Sequence, residues 1–561
     1  MDARHLEPLL MADERIGPPA RQTSQQLRYE VGWRPVGGHT PRAVIDAPPE
    51  MSAQGGNVWV LDGLLQPRYR QSGQSMAHLG TWLSSGWSLG AVSPRDSAGS
   101  TLCLGTALWD NPTFGAAGAV AVSGFSTQFT VVSALTTTNS LFVSQASLVS
   151  ANGVDAAPSL RTTSNWFGTT VYSAPRDTNL LVLSGDTSGR MYCMDGTATY
   201  APPLLPVVHY SKLTGAPVAY DVATFDNRVV AWHAANIGQR AQWCVAGDPE
   251  DWTGLGSGSE DLVDMTGFGT RCFVQGDELI LASNTEVWRA RAVGLPYVFQ
   301  FAPLDREIGM PYPRAAINTP HGIFWLGDQL MIYQLTAGQI VPFGRVWQKF
   351  LQDNMIAPEV AFFAWNSQLN QLRLYFTLLN TAYPNQSLTY DFQANIWTYE
   401  IWGATLQRAF TLPATIANWV VAGRVPMTMN ISEVQVTSNG SLAQLTASAT
   451  SDYGSTPTEV AAFGALFTSD PRRMKVLREI RVDAQAAYGA STFSIFVSPT
   501  LGSAHSASQQ ISVASSVFGA HSVATFDVEA RFPAIRIRSN DGSRWQISRL
   551  YAEAESYGRE G

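Results

Sequence analysis

The sequence predicts an all-β protein: a β-propeller with a C-terminal antiparallel β-sandwich and an N-terminal arm. The region from Phe225 to Phe343 consists of short apolar segments separated by turns of two to four residues rich in Gly, Asp and Asn, a pattern typical of antiparallel hairpins. Such hairpins recur at intervals of 46, 51 and 49 residues, beginning at Phe225, Arg271, Gly322 and Gln371. Strand-rich units that repeat every 40–50 residues or so are typical of propeller blades.

Composition favours an assembly component over a reader of nucleic acid. The chain has 561 residues, enough for two or more domains and a large core. Only 14% of the residues are charged, so we expect much of the surface to be covered by partners or to present Ser, Thr and Gln to water. The net charge of −8 argues against duplex recognition, because phosphate neutralisation supplies most of that affinity. An acidic chain is still suited to lining a passage through which DNA slides.

Residues 1–40 are predicted to form the arm. Pro18 and Pro19 end any helix that begins within His5–Glu14, and terminal arms usually fray unless they dock on a neighbour. The N-terminus lacks a secretory signal pattern, and no run of apolar residues is long enough to span a membrane. We therefore expect a protein without a membrane span that is made and assembled in the cytoplasm.

Residues 41–425 are predicted to form the propeller, with regular strand–turn–strand patterns from about residue 166 onwards. The stretch of about 85–165 is rich in Ser, Thr, Ala and Gly, and its β-branched alternation indicates strands on a polar sheet. It is either an insertion or platform that packs on another subunit, or a looser blade of the same domain. Tryptophans recur near the hairpin ends, and we expect them to be core residues wedged between blades: Trp232, Trp252, Trp288, Trp325, Trp347 and Trp397.

Residues 426–561 are predicted to form the β-sandwich. Apolar and polar residues alternate with a period of two in several segments of this region, and helix signals are absent. Arginine alternates with isoleucine or valine there, so the arginines are expected to face outward and the aliphatic side chains the core. The densest basic run of the chain also lies here and is interpreted as a solvated strand edge, with contact to DNA or to an acidic partner ring as the alternative: Arg472, Arg473, Lys475, Arg478 and Arg481.

Carboxylates cluster in one part of the propeller region, where a glycosidase would need two of them at a set separation: Asp248, Glu250, Asp251, Glu260, Asp261 and Asp264. Turn chemistry explains the first of these, since Asp248-Pro249 begins a turn and Asp251 precedes Trp252. The glycine-rich segment 254–260 lacks the strand and helix that flank a phosphate-binding loop, so it is interpreted as a flexible loop. A polysaccharide-degrading enzyme remains a weaker alternative.

No other pattern of reactive residues indicates catalysis or metal binding. The eight histidines are scattered, and neither an HExxH nor a GxSxG motif is present. The four cysteines form no CxxC pair, so they are interpreted as buried free thiols: Cys103, Cys193, Cys244 and Cys272. The sequence therefore predicts a protein that is not an enzyme, with no catalytic residue, no cofactor and no metal site.

Within residues 225–345 the chain resembles the tail-nozzle and head-stabilisation proteins of tailed bacteriophages. The resemblance rests on the order and spacing of several short motifs: Asp248-Pro249-Glu250-Asp251-Trp252, then Glu286-Val287-Trp288, then Gly294-Leu295-Pro296-Tyr297-Val298-Phe299, then Ile308-Gly309 with Pro313, and last Phe324-Trp325-Leu326-Gly327. The family often has a cysteine after the Ile-Gly pair, where this chain has Met310. The resemblance implies that the matched residues serve the fold and not catalysis: Asp248, Pro249, Trp252, Glu286, Trp288, Gly309, Phe324, Trp325 and Gly327.

The resemblance also implies a function. It predicts a structural protein of a bacteriophage virion, a tail nozzle or head-to-tail connector that forms a ring, as a hexamer, and that retains the genome and then passes it during DNA ejection. Its expected partners are further copies of itself, portal and adaptor rings, tail fibre or other tail proteins, and genome DNA passing without sequence recognition. The expected location is the tail or neck of the virion. The alternative function is a carbohydrate- or receptor-binding β-propeller of the tail, which aromatic side chains exposed on one propeller face would support.

Overall fold

A computed structural model describes the backbone of the chain over a set of separate ranges. These are residues 27–33, 54–61, 64–74, 102–111, 116–124, 129–135, 140–144, 148–150, 167–184, 191–199, 207–213, 215–378, 383–410, 433–437, 442–446, 460–465, 474–486, 491–498, 507–513, 521–530, 534–539 and 545–557.

Strands dominate the described part of the chain. The first fourteen are β1 (Leu27–Trp33), β2 (Gln54–Gly56), β3 (Val58–Leu61), β4 (Leu64–Pro67), β5 (Arg70–Gln74), β6 (Leu102–Asn111), β7 (Ala116–Gly124), β8 (Phe129–Leu135), β9 (Ser140–Ser144), β10 (Leu148–Ser150), β11 (Gly168–Ser173), β12 (Thr178–Leu183), β13 (Tyr192–Thr199) and β14 (Val207–Lys212). The next sixteen are β15 (Asp221–Phe225), β16 (Arg228–Trp232), β17 (Arg240–Trp243), β18 (Gly258–Asp261), β19 (Gly269–Gln275), β20 (Glu278–Ser283), β21 (Val287–Ala292), β22 (Phe299–Asp305), β23 (Ala316–Thr319), β24 (Gly322–Leu326), β25 (Ile332–Thr336), β26 (Gln339–Pro342), β27 (Phe362–Asn366), β28 (Gln371–Phe376), β29 (Gln386–Asp391) and β30 (Ile396–Ile401).

The last ten strands are β31 (Leu406–Phe410), β32 (Val434–Thr437), β33 (Leu442–Thr446), β34 (Val460–Ala465), β35 (Met474–Ala486), β36 (Ser491–Ser498), β37 (Ala507–Val513), β38 (His521–Ala530), β39 (Ala534–Ser539) and β40 (Trp545–Tyr557). Within the ranges given above, the α-helical residues form α1 (Arg345–Asn354), and short 3-10 helices lie at Ala234–Asn236, Pro313–Ala315 and Pro358–Val360. The prediction of an all-β protein is confirmed, since strands make up 57% of the described residues.

The predicted hairpin repeat corresponds to a series of four-stranded antiparallel sheets. Strands β15–β18, β19–β22, β23–β26 and β27–β30 each form one sheet in chain order, and so do β6–β9. Strands β11–β14 form another sheet, to which β10 adds in parallel beside β14. In the last sheet of the series β31, β32 and β33 are joined by β5, which pairs with β33 from far earlier in the chain.

These seven sheets contact one another in a fixed order. The first strand of each contacts the first strand of the next, in the order β6, β11, β15, β19, β23, β27 and β31. Strand β31 of the last sheet also contacts β6 of the first. The stretch of about 85–165 thus contributes a four-stranded sheet to this series, and the chain order of the sheets is also their spatial order.

Hairpin turns in the series use residues that accept left-handed backbone angles. Asp226 and Asn227, with φ of 50° and 56°, connect β15 to β16. Two consecutive residues with positive φ are what a two-residue turn matched to strand twist requires, and Asp and Asn tolerate this region best after glycine. The Asp-Asn pair therefore sets the register of this hairpin.

Tryptophans pack between successive sheets, as the sequence predicts. Trp232 and Trp325 are fully buried, and each donates its indole N–H to a backbone carbonyl of another element, at Ala282 (2.8 Å) and Gly309 (3.0 Å) respectively. Buried tryptophans usually find such a hydrogen-bond partner. Trp252, Trp288 and Trp347 are buried as well, whereas Trp397 is half-buried.

The remaining two sheets share one hydrophobic core and combine both ends of the chain. One sheet has the order β3-β4-β40-β35-β38, with β1 also paired to β40, and the other has the order β2-β34-β39-β36-β37. Side chains from both sheets, such as Leu477, Ile495 and Ile537, belong to a single buried cluster. Strand β1 lies within the predicted N-terminal arm, and residues 1–26 and 34–40 of that arm lie outside the described ranges.

Replacement of Gly309 by alanine is expected to destabilise the fold strongly. A Cβ atom at Gly309 would lie 2.3 Å from the backbone nitrogen of Thr285 and 2.4 Å from the carbonyl of Asn284, and backbone cannot move aside as a side-chain tip can. We expect Gly309→Ala to lower the free energy of unfolding by about 3 kcal/mol, measured by urea denaturation. Gly338→Ala is the control: its Cβ meets nothing within 4 Å, and only its φ of 73° opposes the change, by about 1 kcal/mol. Equal losses in the two variants would contradict this explanation.

Candidate functional site

The first matched motif forms a turn in the connection between β17 and β18. Asp248 accepts a hydrogen bond from the backbone N–H of Glu250 at Oδ1 (3.1 Å), and the indole N–H of Trp252 donates to the carbonyl of Pro249 (2.8 Å). Trp252 is buried in the cluster between the sheets that begin with β11 and β15. These residues therefore shape a connection, as the resemblance implies.

The second motif holds the turn between β20 and β21. Glu286 is buried and accepts hydrogen bonds from the Thr266 hydroxyl (2.6 Å), the Thr266 backbone N–H (3.1 Å) and the Trp288 indole N–H (2.8 Å). Burial raises the pKa of Glu286, but the hydrogen bonds from Thr266 and Trp288 outweigh it and hold this pKa below its ordinary value. The carboxylate thus ties the approach to β19 to the following hairpin.

The last motifs belong to the contact between the sheets that begin with β19 and β23. Gly309 touches the turn at Asn284 and receives the indole of Trp325, while Phe324 is fully buried. A Cβ at Gly327 would lie 2.7 Å from the ring of Tyr333, so a larger residue there would displace that ring. The structure therefore joins Trp325 to Gly309, but it distributes the nine matched residues over several contacts instead of gathering them into one site.

The clustered carboxylates are engaged individually. Asp251 accepts hydrogen bonds from the backbone N–H groups of Thr253 (3.0 Å) and Gly254 (2.8 Å), which hold its pKa below the ordinary value. Asp261 accepts two hydrogen bonds from Arg240 (2.6 and 2.8 Å). Glu250 pairs with Arg176 (2.8 Å), while Glu260 and Asp264 are exposed. Within the described ranges, no group of three or more His, Cys, Asp or Glu side chains could hold a metal ion.

The structure describes some of the side chains in the basic run and three of the four cysteines. Arg478 pairs with Asp527 (2.5 Å) and Arg481 with Glu479 (2.5 Å), so both arginines meet carboxylates on their own or a neighbouring strand. Lys475 lies in β35, and Arg472 and Arg473 lie outside the described residues. The interpretation of buried free thiols is confirmed for Cys244 and Cys272, and Cys193 is buried as well. None of the helices described is long and apolar enough to cross a membrane.

A fully buried polar network centred on Arg373 is a feature that the sequence analysis missed. Arg373 in β28 donates to the Thr389 hydroxyl (3.0 Å) and to the Gln371 amide oxygen (2.6 Å), and it pairs with Glu433 and with Glu400 (3.6 Å). Burial lowers the pKa of Arg373, but the two carboxylates raise it above its ordinary value by a larger amount. The signal in the sequence is the spacing of Gln371, Arg373 and Tyr375, because alternate residues of a strand share one face.

Glu400 connects this network to the N-terminal part of the chain. It accepts hydrogen bonds from the Trp59 indole N–H (2.5 Å), the Ser387 hydroxyl (2.5 Å) and the Thr389 hydroxyl (2.8 Å). The guanidinium of Arg373 also lies over the Trp59 ring, 4.9 Å from its centroid. Residue 59, in β3, is thereby fixed against the sheet β27–β30.

Glu433 connects the same network to the last sheet of the series. It precedes β32 and accepts hydrogen bonds from the Tyr375 hydroxyl, from Gln435 (3.2 Å) and from Arg373. Burial, reinforced by the Glu433 charge, raises the pKa of Tyr375 well above its ordinary value, so this hydroxyl stays a donor. One arginine and two carboxylates therefore meet where three parts of the chain join.

A second ion pair, between the half-buried Arg271 and the buried Asp221, joins sheets around β19. Asp221 in β15 accepts hydrogen bonds from Arg271 Nε (3.0 Å) and from the Cys272 backbone N–H (2.7 Å). Arg271 also donates to the carbonyl of Pro313 (2.8 Å), and its guanidinium lies 3.9 Å from the centroid of the Phe167 ring. Arg271 in β19 thus contacts the start of the preceding sheet at Asp221 and the segment before the following sheet at Pro313.

Three aromatic residues form a cluster at one end of the sheets. The rings of Tyr220 and His233 stack with centroids 4.0 Å apart and planes 18° apart, and the Phe268 ring lies 6.4 Å from that of His233. Tyr220 is 39% exposed and Phe268 53% exposed. We call Tyr220, His233 and Phe268 the aromatic platform. They flank β15, β16 and β19, at the end where successive sheets connect.

A second exposed apolar group lies at the opposite end. Leu255 is in the β17–β18 connection, and Val293, Leu295 and Tyr297 are in the β21–β22 connection, with Leu255 85% and Tyr297 78% exposed. In an antiparallel sheet the third-to-fourth connection lies at the end opposite to the second-to-third one. Exposed apolar groups therefore occur at both ends of the same two sheets.

Comparison with known proteins gives no family for the chain. No protein-family profile matches, and no curated protein matches. Three solved structures illustrate the similarities found. One is an exo-β-1,3-galactanase from Phanerochaete chrysosporium with galactose, at 8% identity over 90% of this chain and 96% of that one, with a TM-score of 0.24.

The other two are Hsv2 from Kluyveromyces lactis and BBS1N in complex with ARL6DN. Hsv2 is 8% identical over 43% of this chain and 66% of that one, with a TM-score of 0.27. BBS1N is 10% identical over 62% of this chain and 94% of that one, with a TM-score of 0.34. The prediction from sequence that the chain is not an enzyme is corrected by this comparison, because the first of these structures is an enzyme. At a TM-score of 0.24, that likeness gives this chain no reaction, substrate or catalytic residue.

Removing the charge of Arg373 is expected to destabilise the protein severely. Arg373→Met leaves Glu400 and Glu433 buried without their cation, and breaking a buried ion pair in this way typically costs about 3–5 kcal/mol. The measurement is the free energy of unfolding in urea. Arg478→Met is the matched control, since the Arg478–Asp527 pair is exposed and its loss is worth about 1 kcal/mol or less. Similar effects in both variants would show that burial of the network has no special role.

The depressed pKa of Glu286 predicts an acid-dependent contribution to stability. A carboxylate whose folded pKa lies below its unfolded value, about 4.3 for glutamate, stabilises the fold above that pH and loses this contribution as the pH falls through the folded pKa. The stability difference between the wild type and Glu286→Gln should therefore be largest near neutral pH and shrink in acid. Urea titrations at several pH values measure it, and a difference that does not change with pH would refute the assignment.

Proposed function

We propose that the series of seven sheets is a seven-bladed β-propeller and that the other two sheets form a β-sandwich. Three observations support the propeller: the four-stranded sheets, the contacts of their first strands in chain order, and the contact of β31 with β6. Strand β5 would complete the last blade from the N-terminal side. The single core shared by the sheets that contain β35 and β36 supports the sandwich.

On this fold, the chain acts as a structural protein of a bacteriophage virion, a tail nozzle or head-to-tail connector. The observation that carries this proposal is the ordered set of motifs between residues 248 and 327. The structure supports it in one respect: these residues lie in turns and in contacts between sheets, as fold residues of a shared architecture would.

The mode of action follows from assembly into a ring, which we take to be a hexamer. Portal and adaptor rings and tail proteins would bind its ends, and the genome would pass through its channel without sequence recognition. Apolar side chains exposed at both ends, such as Leu255 and Phe268, are consistent with docking on rings above and below. The net charge of −8 suits a channel that DNA must leave quickly, because like charges disfavour binding of phosphate.

A carbohydrate- or receptor-binding component of the tail is the second candidate. The observation that favours it is the aromatic platform, since the exposed rings of Tyr220 and Phe268 both lie near the His233 ring at one end of the sheets. Clustered exposed aromatic residues are enriched in recognition surfaces.

Electron microscopy of particles from an infected culture, labelled with an antibody to this chain, tests the proposed location. We expect label at the head–tail junction or at the tail tip of intact particles, and averages of the ring should show six subunits. Particles that lack the chain would overturn the structural assignment. A label on the capsid surface alone would do the same.

A further inference from the structure

We infer that the aromatic platform is a binding site for a neutral carbohydrate. This inference rests on the second candidate function and gives it a place and a ligand class. The ligand is a pyranose-containing oligosaccharide whose ring C–H face packs on Phe268 and Tyr220 and whose hydroxyl groups reach the amides and hydroxyls around them.

The backbone displays Phe268 rigidly. Its N–H donates to Asn284 Oδ1 (2.8 Å), and its carbonyl accepts from the Asn284 backbone N–H (3.1 Å). On either side, the Gly267 carbonyl accepts from Gln239 Nε2 (2.7 Å), and the Gly269 N–H donates to the carbonyl of Gly238 (2.7 Å). A half-exposed phenyl ring on a fully anchored backbone loses little entropy when a ligand packs on it.

Glycines on both sides make this display possible. A Cβ at Gly267 would lie 2.2 Å from Asn284 Oδ1, and one at Gly269 would lie 2.6 Å from the Trp232 ring. At Gly238 a Cβ would come within 3.2 Å of the Phe268 Cβ. The backbone is therefore closely packed on both sides of Phe268. Phe268 is the residue of this segment that has a large side chain, and that side chain is exposed.

The neighbouring connection holds strained backbone. His233, Ala235 and Asn236 have φ of 53°, 54° and 61°, and an alanine in this region is unfavourable. The conformation is maintained by hydrogen bonds from Ala235 N–H to the Val218 carbonyl (2.9 Å) and from His233 Nδ1 to the Gly269 carbonyl (3.0 Å). Backbone strain of this kind persists only where the surrounding structure holds it in place, and it occurs most often at ligand-binding and active sites.

The polar groups at the platform favour a sugar over other ligands. The side chains of Gln239 and Asn284 hydrogen-bond the backbone of residues 267 and 268. Next to Asn284, the hydroxyls of Thr266 and Thr285 lie 3.0 Å apart. All of these side chains are neutral and combine donors with acceptors, which matches sugar hydroxyls. A nucleic acid is disfavoured because the chain is acidic overall and no cation is among these contacts.

A glycan array probed with the full-length chain tests the inference. We expect the wild type to bind a subset of neutral oligosaccharides, and titration of the best of them should show binding about tenfold or more weaker for Phe268→Ala and Tyr220→Ala. Tyr297→Ala is the matched control, since Tyr297 is also an exposed aromatic residue but lies at the other end of the sheets; its affinity should stay within about twofold. Unchanged melting temperatures establish that each variant is folded.

Phe268→Leu separates stacking from general apolar contact. It keeps an apolar side chain but removes the flat ring, so a sugar site should lose affinity, whereas an apolar protein contact should be retained. His233→Asn is the second variant, because asparagine tolerates positive φ; it should fold and weaken binding by removing one stacked ring.

Several outcomes would overturn the inference. These are no binding to any glycan by the wild type, equal binding by the wild type and Phe268→Ala, equal loss in Tyr297→Ala, or capture of a host surface protein that persists after its glycans are removed. Location in particles is an independent measurement. If the chain is found in particles but binds no glycan, this inference is overturned and the connector proposal stands. If the chain binds glycans but is absent from particles, the connector proposal is overturned and this inference stands.

Discussion

Burial on both faces of the sheets is the constraint on which the rest of this structure depends. Every residue of β20, β24 and β28 is buried, so each of these strands needs packing partners on two sides. A sheet of this kind must have one sheet before it and another after it. Strand β31 of the last sheet in the series contacts β6 of the first. Near that joint, β28 turns leucines towards one core and Gln371, Arg373 and Tyr375 towards the other side.

Polar contacts give these apolar interfaces their register. Apolar burial is not directional, so by itself it fixes the distance between two sheets better than their alignment. Hydrogen bonds from Trp232, Trp325 and Arg271 to groups of other elements define alignment at single atoms. The Arg373 network does this across a larger separation in sequence, since it joins residue 59 to residue 433. A buried ion pair is weak evidence for stability, and its best-supported role is to specify one arrangement over others.

Local pattern in the sequence was enough to predict the strands, the hairpin repeat and the burial of most tryptophans, because these follow from residues close together in the chain. Pairings between distant segments could not be predicted. Nothing near residues 70–74 indicates that β5 pairs with β33, or that β1 and β4 pair with β40. Most of β18 lies within the segment 254–260, which was interpreted as a flexible loop. Its Gly258–Asp261 sequence has none of the β-branched residues that mark a strand. The burial of Arg373 was missed because an arginine in an alternating strand normally faces water.

The aromatic platform depends on the same contact that joins two sheets. Gly269 has no side chain because the Trp232 ring occupies that space, and the Trp232 indole in turn bonds the carbonyl of Ala282 in the next sheet. The residue directly before Gly269 is Phe268, whose side chain is exposed at the surface. Gly269 thus leaves room for the buried Trp232 ring directly beside the residue that carries the exposed ring. Because the buried contact is already satisfied, the exposed ring is positioned by the core and needs no ligand to hold it in place.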